Sequence, residues 1–235
     1  MQAFKNKFIS IYFGGQQESI SLDEIKNQQH TQSLRNIAQQ LHVDHIAFLH
    51  QNHGSQGMQV EAEGCESYVF NPVGDYLVTN NKEYGIGVVT ADCLPIVLYD
   101  PVHHASGIVH AGWKGLVAGV VQAAVQDMVE KFKSCPTTLE VYVGPAAGSC
   151  CYEVQQDFVD NFEKYGNEQL FFTKKGSRTY FDSRAFVIVL ARSLGIDEEK
   201  IYTRYNVCTI CNLSFCSYRR EKEKARRQIT MVCLH

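Results

Sequence analysis

Cys93 opens one short apolar run, Leu94 to Tyr99, and His110 closes a second, Ser106 to Val109, in the stretch TADCLPIVLYDPVHHASGIVHAGWKG from Thr90 to Gly115. Runs of that length, rich in Ile and Val and broken by Asp100-Pro101, predict adjacent buried strands. A hairpin return would bring the start of the first beside the end of the second, so thiol and imidazole could meet. Both are ligands for zinc or copper. A third candidate, His53 in Gln51-Asn52-His53-Gly54, follows another predicted strand, Ile46 to His50. Three ligands from three strand ends leave a fourth position for water or substrate, and a bound water's pKa falls to about 7 at such a site. His53 to Cys93 is 40 residues and Cys93 to His110 is 17, spacings that match no local zinc motif. Spacing alone therefore also admits a loop histidine, a core cysteine and a capped strand end.

Other residue types around this stretch suit anions and proton transfer. Ala111, Gly112, Trp113 and Gly115 read as strand, tight turn and helix start, where backbone N–H groups can face a ligand. Lys114 beside that turn, and Arg219 and Arg220 in Ser217-Tyr218-Arg219-Arg220, could grip phosphate; the run that follows, Glu221 to Arg227, reads as a solvated face. Asp92 and Glu153 are candidate general acids or bases if placed at an activated water, and Asp92 reads equally well as a turn or cap carboxylate. Cys208-Thr209-Ile210-Cys211, with Cys216 nearby, is half a zinc knuckle or a redox pair whose second half is not apparent from the local sequence. His103-His104 read as solvated turn residues.

These residues need a scaffold, and the hydrophobic periodicity predicts one. Lys7 to Phe13 alternates into Gly14-Gly15, Thr31 to Leu41 has helical spacing, and Val43 to His50 reads as strand. Residues 54 to 66 are expected to form an irregular or edge segment. Leu77 to Thr79 and Ile86 to Thr90 are short strands. Leu116 to Phe132 is the clearest helix, with Val117, Val120, Val121, Ala124, Met128 and Phe132 in one stripe. Leu139 to Val143 returns as strand into the small-residue loop from Gly144-Pro145 to Glu153. Val154 to Tyr165 and Ser183 to Leu194 read as helices, the latter with Asp182 or Ser183 as N-cap and Gly195 as stop. Ile201 to Tyr205 and Ile229 to Leu234 read as late strands. Strands with helices between and around them predict an α/β or α+β layered domain.

Composition narrows the function classes. The 235 residues carry 22 basic and 25 acidic side chains, a net charge of −3, and no linker-like tract, so one domain over 1–235 is expected, with no nucleic acid as partner. No apolar run approaches the roughly 18–20 residues of a membrane span, and the N-terminus lacks a signal peptide's apolar core, so a cytoplasmic protein without membrane contacts is expected. Nine cysteines, an odd number, suit free thiols in a reducing compartment.

Taken together and in order, Gln51-Asn52-His53-Gly54, Thr90-Ala91-Asp92-Cys93-Leu94-Pro95, His110-Ala111-Gly112-Trp113-Lys114-Gly115, Gly144-Pro145 through Cys151-Tyr152-Glu153-Val154, and Cys208-Thr209 with Phe215 to Arg220 resemble the laccase-domain family. Its members were once called multicopper polyphenol oxidases and are now regarded as zinc-dependent purine nucleoside phosphorylases. The resemblance implies an α/β fold, a mixed sheet sandwich flanked by helices and similar to the catalytic domain of necrotising-factor toxins. It implies zinc held by His53, Cys93 and His110, phosphorolysis of adenosine, inosine, guanosine and methylthioadenosine, and deamination of adenosine to inosine. The chain departs from the family pattern at Phe13-Gly14-Gly15, where an arginine usually precedes the glycines, at Asn52, usually aliphatic, and at Ala225-Arg226-Arg227, where a glycine is usual.

Three readings follow from residues and resemblance together. In the first, a zinc enzyme acts on purine nucleosides and phosphate as a monomer. Asp92 or Glu153 would move protons, and Arg219 with Lys114 would hold phosphate near C1′. In the second, copper replaces zinc in a polyphenol oxidase, for which nine scattered histidines are a poor ligand supply. In the third, the zinc is structural and the domain is a binding module, which would require a fourth protein ligand to close the shell.

Overall fold

The computed structural model describes residues 2–29, 31–61 and 67–235. Cys65, and the part of the expected irregular segment from 62 to 66, lie outside the described residues. Two six-stranded mixed sheets and one three-stranded sheet form the frame. The first sheet runs β1 (Gln2–Lys5), β2 (Ile9–Phe13), β15 (Gln228–Leu234), β7 (Tyr84–Thr90), β3 (His45–His50) and β5 (Tyr68–Val73). The second runs β14 (Ile201–Tyr202), β10 (Glu140–Val143), β8 (Leu94–Asp100), β9 (Ala105–Ala111), β6 (Tyr76–Thr79) and β4 (Gly57–Gln59). The small third sheet orders β11 (Glu153–Val154), β13 (Arg178–Phe181) and β12 (Phe172–Lys175).

Period-two alternation divides the core into three layers. In β8 all seven residues are buried, because both faces of the strand are covered. Val97 and Tyr99 face the other six-stranded sheet and meet Ile86 and Val88 of β7, Ile9 and Ile11 of β2 and Val232 of β15. Leu94, Ile96 and Leu98 face outward onto α4 (Val120–Phe132) and α6 (Ser183–Ser193), through Val121, Ala124, Met128, Phe186 and Leu190. The outer face of the first sheet is covered by α2 (Gln32–Leu41), where Leu34, Ile37 and Leu41 pack on Ile46, Phe48, Val89 and Met231. The result is a mixed α/β sandwich of two sheets between helices, as the sequence predicts.

Local chemistry explains most element ends. Thr31 caps α2 by accepting from the Leu34 N–H, and Asp182 caps α6 by accepting from Ala185. Two expectations require correction. The helix expected over Leu116 to Phe132 is two helices, α3 (Trp113–Ala118) and α4, broken at Gly119, whose φ of 89° only glycine adopts without strain. Val154 to Tyr165 holds only a short helix, α5 (Gln156–Asp160), and a 3₁₀ turn, since Val154 is recruited into β11 opposite Thr179. The β12–β13 hairpin, β1 and β5 were not anticipated, and the strand expected to Tyr205 stops at Tyr202. Among the described residues no helix is long and apolar enough to cross a membrane.

Candidate metal centre

The β8–β9 hairpin does what its sequence requires. Leu94 pairs with Ala111 and Pro95 with His110, so the residue just before β8, Cys93, sits beside the end of β9. His53 arrives from the loop after β3, in the opposite sheet. The three ligand atoms lie within 4.8 Å of one another, and Cys93 Sγ is 3.8 Å from His53 Nε2. Zinc at about 2.0–2.3 Å from nitrogen and sulfur in tetrahedral geometry would separate such a pair by about 3.6 Å, so the donor set fits a divalent cation with little movement. His110 forms the buried floor at 2% exposure, Cys93 is half-buried and His53 is exposed at the rim.

Asp75, buried and just before β6, orients the ligands, and nothing in the sequence singled it out. One of its oxygens, Oδ1, accepts from His110 Nδ1 at 2.7 Å and from the His53 N–H at 3.0 Å; Oδ2 accepts from the Gly54 N–H at 2.7 Å. The main chain repeats the link, with the His110 N–H donating to the Asp75 carbonyl at 2.7 Å. Asp75 therefore fixes Nδ1 of His110 as the protonated nitrogen and turns Nε2 toward Cys93, the usual carboxylate support of a metal-binding imidazole. It also holds His53 in the left-handed region at φ 62°. Gln51 ties the same loop to β7, its side-chain amide exchanging two 2.8 Å hydrogen bonds with the backbone of Val89. Gly112 leaves the room that the triad needs: a Cβ there would lie 2.7 Å from the His53 ring and 3.2 Å from Cys93 Sγ.

Electrostatics matches the geometry. Burial pulls the Asp75 carboxyl upward, but His110 and the loop N–H groups outweigh it and the group lies below its ordinary value. As free side chains, Cys93 and His110 are each disfavoured as ions by burial. Their mutual attraction, with Asp75 supporting the imidazolium, overrides that effect, leaving the thiol at about 6 and the imidazole at about 9. Between those values the pair holds one proton, on His110, which ligation must displace. Calorimetric zinc titrations of Cys208→Ser/Cys211→Ser protein, in which this triad is the remaining cluster, in buffers of different ionisation enthalpy should show about one proton released from this pair at neutral pH. The number should rise toward two below pH 6, as Cys93 protonates, and fall toward none above pH 9. Zinc affinity then weakens as the solution is acidified, and a proton release near zero at neutral pH would contradict the pairing.

The remaining candidates separate into those that reach the cleft and those that do not. A cleft of about 760 Å³ opens over the triad; its lining includes Lys26, Lys114, Arg219, Lys222 and Arg227. Among the described residues none of these five pairs with an acidic side chain. Arg219 lies in α7 (Tyr218–Glu221), its guanidinium 5.3 Å from the Tyr152 ring, whereas Arg220 donates to the carbonyls of Thr209, Ile210 and Phe215 and so holds its own loop together. Glu153 is not part of the lining; it sits on β11 with its carboxylate 3.6 Å from Arg178. Its neighbour Tyr152 lines the cleft instead, and burial and the Cys93 thiolate push its phenol upward, so it stays protonated.

Asp92 lines the cleft, but its oxygens are committed. Oδ1 accepts from the Thr209 hydroxyl at 2.6 Å, and Oδ2 from the Ser217 hydroxyl at 3.0 Å and the Arg219 N–H at 2.6 Å. Its carbonyl accepts from the Ala147 N–H. Asp92 thus joins the residue before Cys93 to the segment bearing Arg219, which makes it a positioning residue. Asp92→Ala removes three hydrogen bonds and should cost about 3 kcal/mol, a fall of roughly 6–12 °C in Tm that a thermal melt would read.

Known proteins resemble this chain over most of its length. The family model described as multi-copper polyphenol oxidoreductase laccase matches residues 21–235. A purine nucleoside phosphorylase of Clostridium acetobutylicum is 27% identical over 233 residues, covering 97% of this chain and 93% of that protein. One from Aquifex aeolicus is 35% identical over 161 residues, 68% of this chain and 71% of that one. Among solved structures, the hypothetical protein YfiH of Bacillus licheniformis superposes with a TM-score of 0.82 at 27% identity, over 97% of this chain and 93% of that one. YlmD of Geobacillus stearothermophilus, at 21% identity and a TM-score of 0.81, shares the fold. With the match running through every motif that builds the cleft, the chain belongs to the laccase-like multi-copper polyphenol oxidoreductase family, whose curated relatives carry the name purine nucleoside phosphorylase.

Proposed function

We propose that this protein is a zinc-dependent purine nucleoside phosphorylase. The observation that carries the reading is the composition of one cleft: a three-ligand cluster with no fourth His, Cys, Asp or Glu among the described residues, beside five cations without acidic partners. A bound zinc would supply Lewis acidity at the floor of the cleft. His53, Cys93 and His110 would hold it, and Asp75 orients the imidazoles. Arg219, with Lys114, binds phosphate through charge-assisted hydrogen bonds, and Tyr152, Trp113 and Leu49 offer apolar surface to the base and ribose. In the reaction a phosphate oxygen bonds to C1′ as the bond from C1′ to N9 breaks. The electron pair leaves on the purine, which takes up a proton, and ribose 1-phosphate remains.

Incubation with adenosine, inosine, guanosine or methylthioadenosine and phosphate should yield free base and ribose 1-phosphate, or its methylthio counterpart. No base release from zinc-loaded protein would end the proposal. Arg219→Ala should raise KM for phosphate about 10- to 100-fold, the 1.5–3 kcal/mol of a hydrogen bond to a charged group, with a smaller change for nucleoside; an unchanged phosphate KM would remove Arg219 from the anion site.

Deamination of adenosine is the weaker companion activity. Zinc deaminases depend on a carboxylate beside the activated water, while Asp92 already accepts three hydrogen bonds and Glu153 faces Arg178. Inosine measured in the same adenosine incubation separates the two chemistries. A multicopper oxidase reading is disfavoured by ligand supply: the described residues form only two metal-competent clusters, and only this one contains histidine.

A further inference from the structure

The second cluster lies outside the cleft lining and is made entirely of sulfur. We propose that Cys150, Cys151, Cys208 and Cys211 form a closed tetrathiolate site for one zinc-class divalent cation, separate from the His53, Cys93 and His110 centre. The four sulfurs lie within 4.8 Å of one another, and Cys150 Sγ is 3.8 Å from Cys211 Sγ. A tetrahedral site with metal–sulfur distances of about 2.3 Å has edges of about 3.8 Å. All four side chains are free thiols. The missing half of the Cys208-x₂-Cys211 knuckle is therefore supplied by a distant loop, 57 residues upstream of Cys208, which is why local sequence spacing conceals it.

The backbone builds the site from both sides. The segment around Ala146 runs parallel to Cys208: Ala146 N–H donates to Val207 and Thr209 N–H to Ala146. Gly148 completes the approach, since a Cβ there would lie 3.1 Å from Cys208 Cβ. Its N–H donates to Cys208 Sγ at 3.3 Å, the kind of support that orients a thiolate ligand. On the other side a tight turn, closed by the Asn212 N–H on the Cys208 carbonyl, brings Cys208 and Cys211 together, and Arg220 holds the carbonyls of that turn in place. Burial pushes the Cys150 and Cys151 thiols upward, and Cys208 and Cys211 add to it. Cys208 is drawn down, against burial, by the N–H groups of Cys211, Gly148 and Ile210. Four thiolates this close repel one another unless a cation lies among them; on ligation each thiol gives its proton to solvent, and the site carries a net charge of −2.

A cation here clasps the 144–152 loop to the 207–212 loop. Those loops carry Ala147, Tyr152 and Ile210, which with Asp92 line one wall of the cleft, and Thr209 beneath them donates to Asp92. The role is structural, because four protein ligands leave no position for a reactant.

Full-length protein purified with a non-chelating phosphine reductant and assayed for zinc by mass spectrometry tests the proposal. Wild type should hold about two equivalents, and both His53→Ala/Cys93→Ala and Cys208→Ser/Cys211→Ser should halve that content. One equivalent in wild type and none in the His53/Cys93 variant would overturn it. Alkylation mapping on wild type requires no variant to fold. Cys150 and Cys211 are exposed, as is Cys135, whose thiol is drawn down by Thr137 and which serves as the reactive control. With zinc bound, Cys150 and Cys211 should label several-fold more slowly than Cys135, and a chelator should abolish that protection. Labelling at the Cys135 rate in zinc-loaded protein, or a disulfide among the four in the reduced preparation, would equally overturn the assignment. Activity does not enter these readouts, so they stand or fall independently of the nucleoside reading.

Discussion

Gly112→Ala should leave the protein folded and weaken zinc binding at the His53, Cys93 and His110 site. The added methyl would stand 2.7 Å from His53 Cδ2, closer than real Cβ contacts allow, and a tight 3.2 Å from Cys93 Sγ, so His53 must give way. Backbone strain is not the issue, because φ at Gly112 is −68°, which alanine adopts freely. The yielding partner is the exposed His53 ring, and moving it costs little in folding free energy. Coordination is less forgiving, since ligand distances are held to about 0.2 Å. Zinc affinity should fall by at least the 10- to 100-fold typical of disturbed ligand orientation, while Tm without added metal changes by only a few degrees. Competition with a chromophoric chelator and a melt in its presence separate the two effects. A variant that binds zinc as tightly as wild type would mean that the site forms elsewhere in the cleft.

Asp75→Asn should damage both binding and stability. Every polar contact that the Asp75 side chain makes is to a donor: the His110 ring, and the N–H groups of Asn52, His53 and Gly54. An amide has one acceptor oxygen, so in either orientation its NH₂ faces an N–H or the imidazole. If it faces His110, the ring must turn Nδ1 into an acceptor, and the proton moves to Nε2, the nitrogen that ligation needs. If it faces the loop, it opposes the Asn52 and Gly54 N–H groups, and Gly54 keeps only the Asn52 Oδ1 at 3.1 Å. Either outcome also removes the negative charge that supports the His110 imidazolium, and breaking a buried pair of this kind costs about 3–5 kcal/mol. The stability dependence on pH has a definite sign. Because the folded carboxyl lies below its ordinary value, its contribution is present above the unfolded pKa and lost as pH falls through the folded one. Wild type should therefore lose part of its advantage over Asp75→Asn in acid denaturation, and equal stability of the two proteins at neutral pH would refute the role assigned to Asp75.

How much of this was legible beforehand depends on distance along the chain. Cys93 and His110 could be paired because a hairpin brings its two ends together, and an apolar run broken by Asp100-Pro101 is a strong sign of one. His53 could be offered as a third ligand from its place after a strand, but no local spacing ties it to the other two, since its approach depends on how two sheets face each other. Asp75 left no trace because a single aspartate before a short strand has no periodic or compositional signature; its role comes entirely from the loop N–H groups that point at it. The same limit explains the errors. Val117 and Val120 fit one helical stripe, but Gly119 between them turns the chain. The partners of Asp92, which reads in sequence equally well as proton carrier or cap carboxylate, are as hidden: Thr209, Ser217 and Arg219 lie more than a hundred residues away.

The split origin of the triad bears on how the two halves of the molecule hold together. The β8–β9 hairpin already owns two donors in neighbouring registers, whereas the third belongs to the facing sheet. A cation held by all three would bind only while the sheets are docked, and would act as a removable bolt between them. At a free concentration a thousandfold above Kd, that bolt adds about 4 kcal/mol to the closed sandwich. Metal starvation would then loosen the seam between the sheets long before it unravelled either sheet.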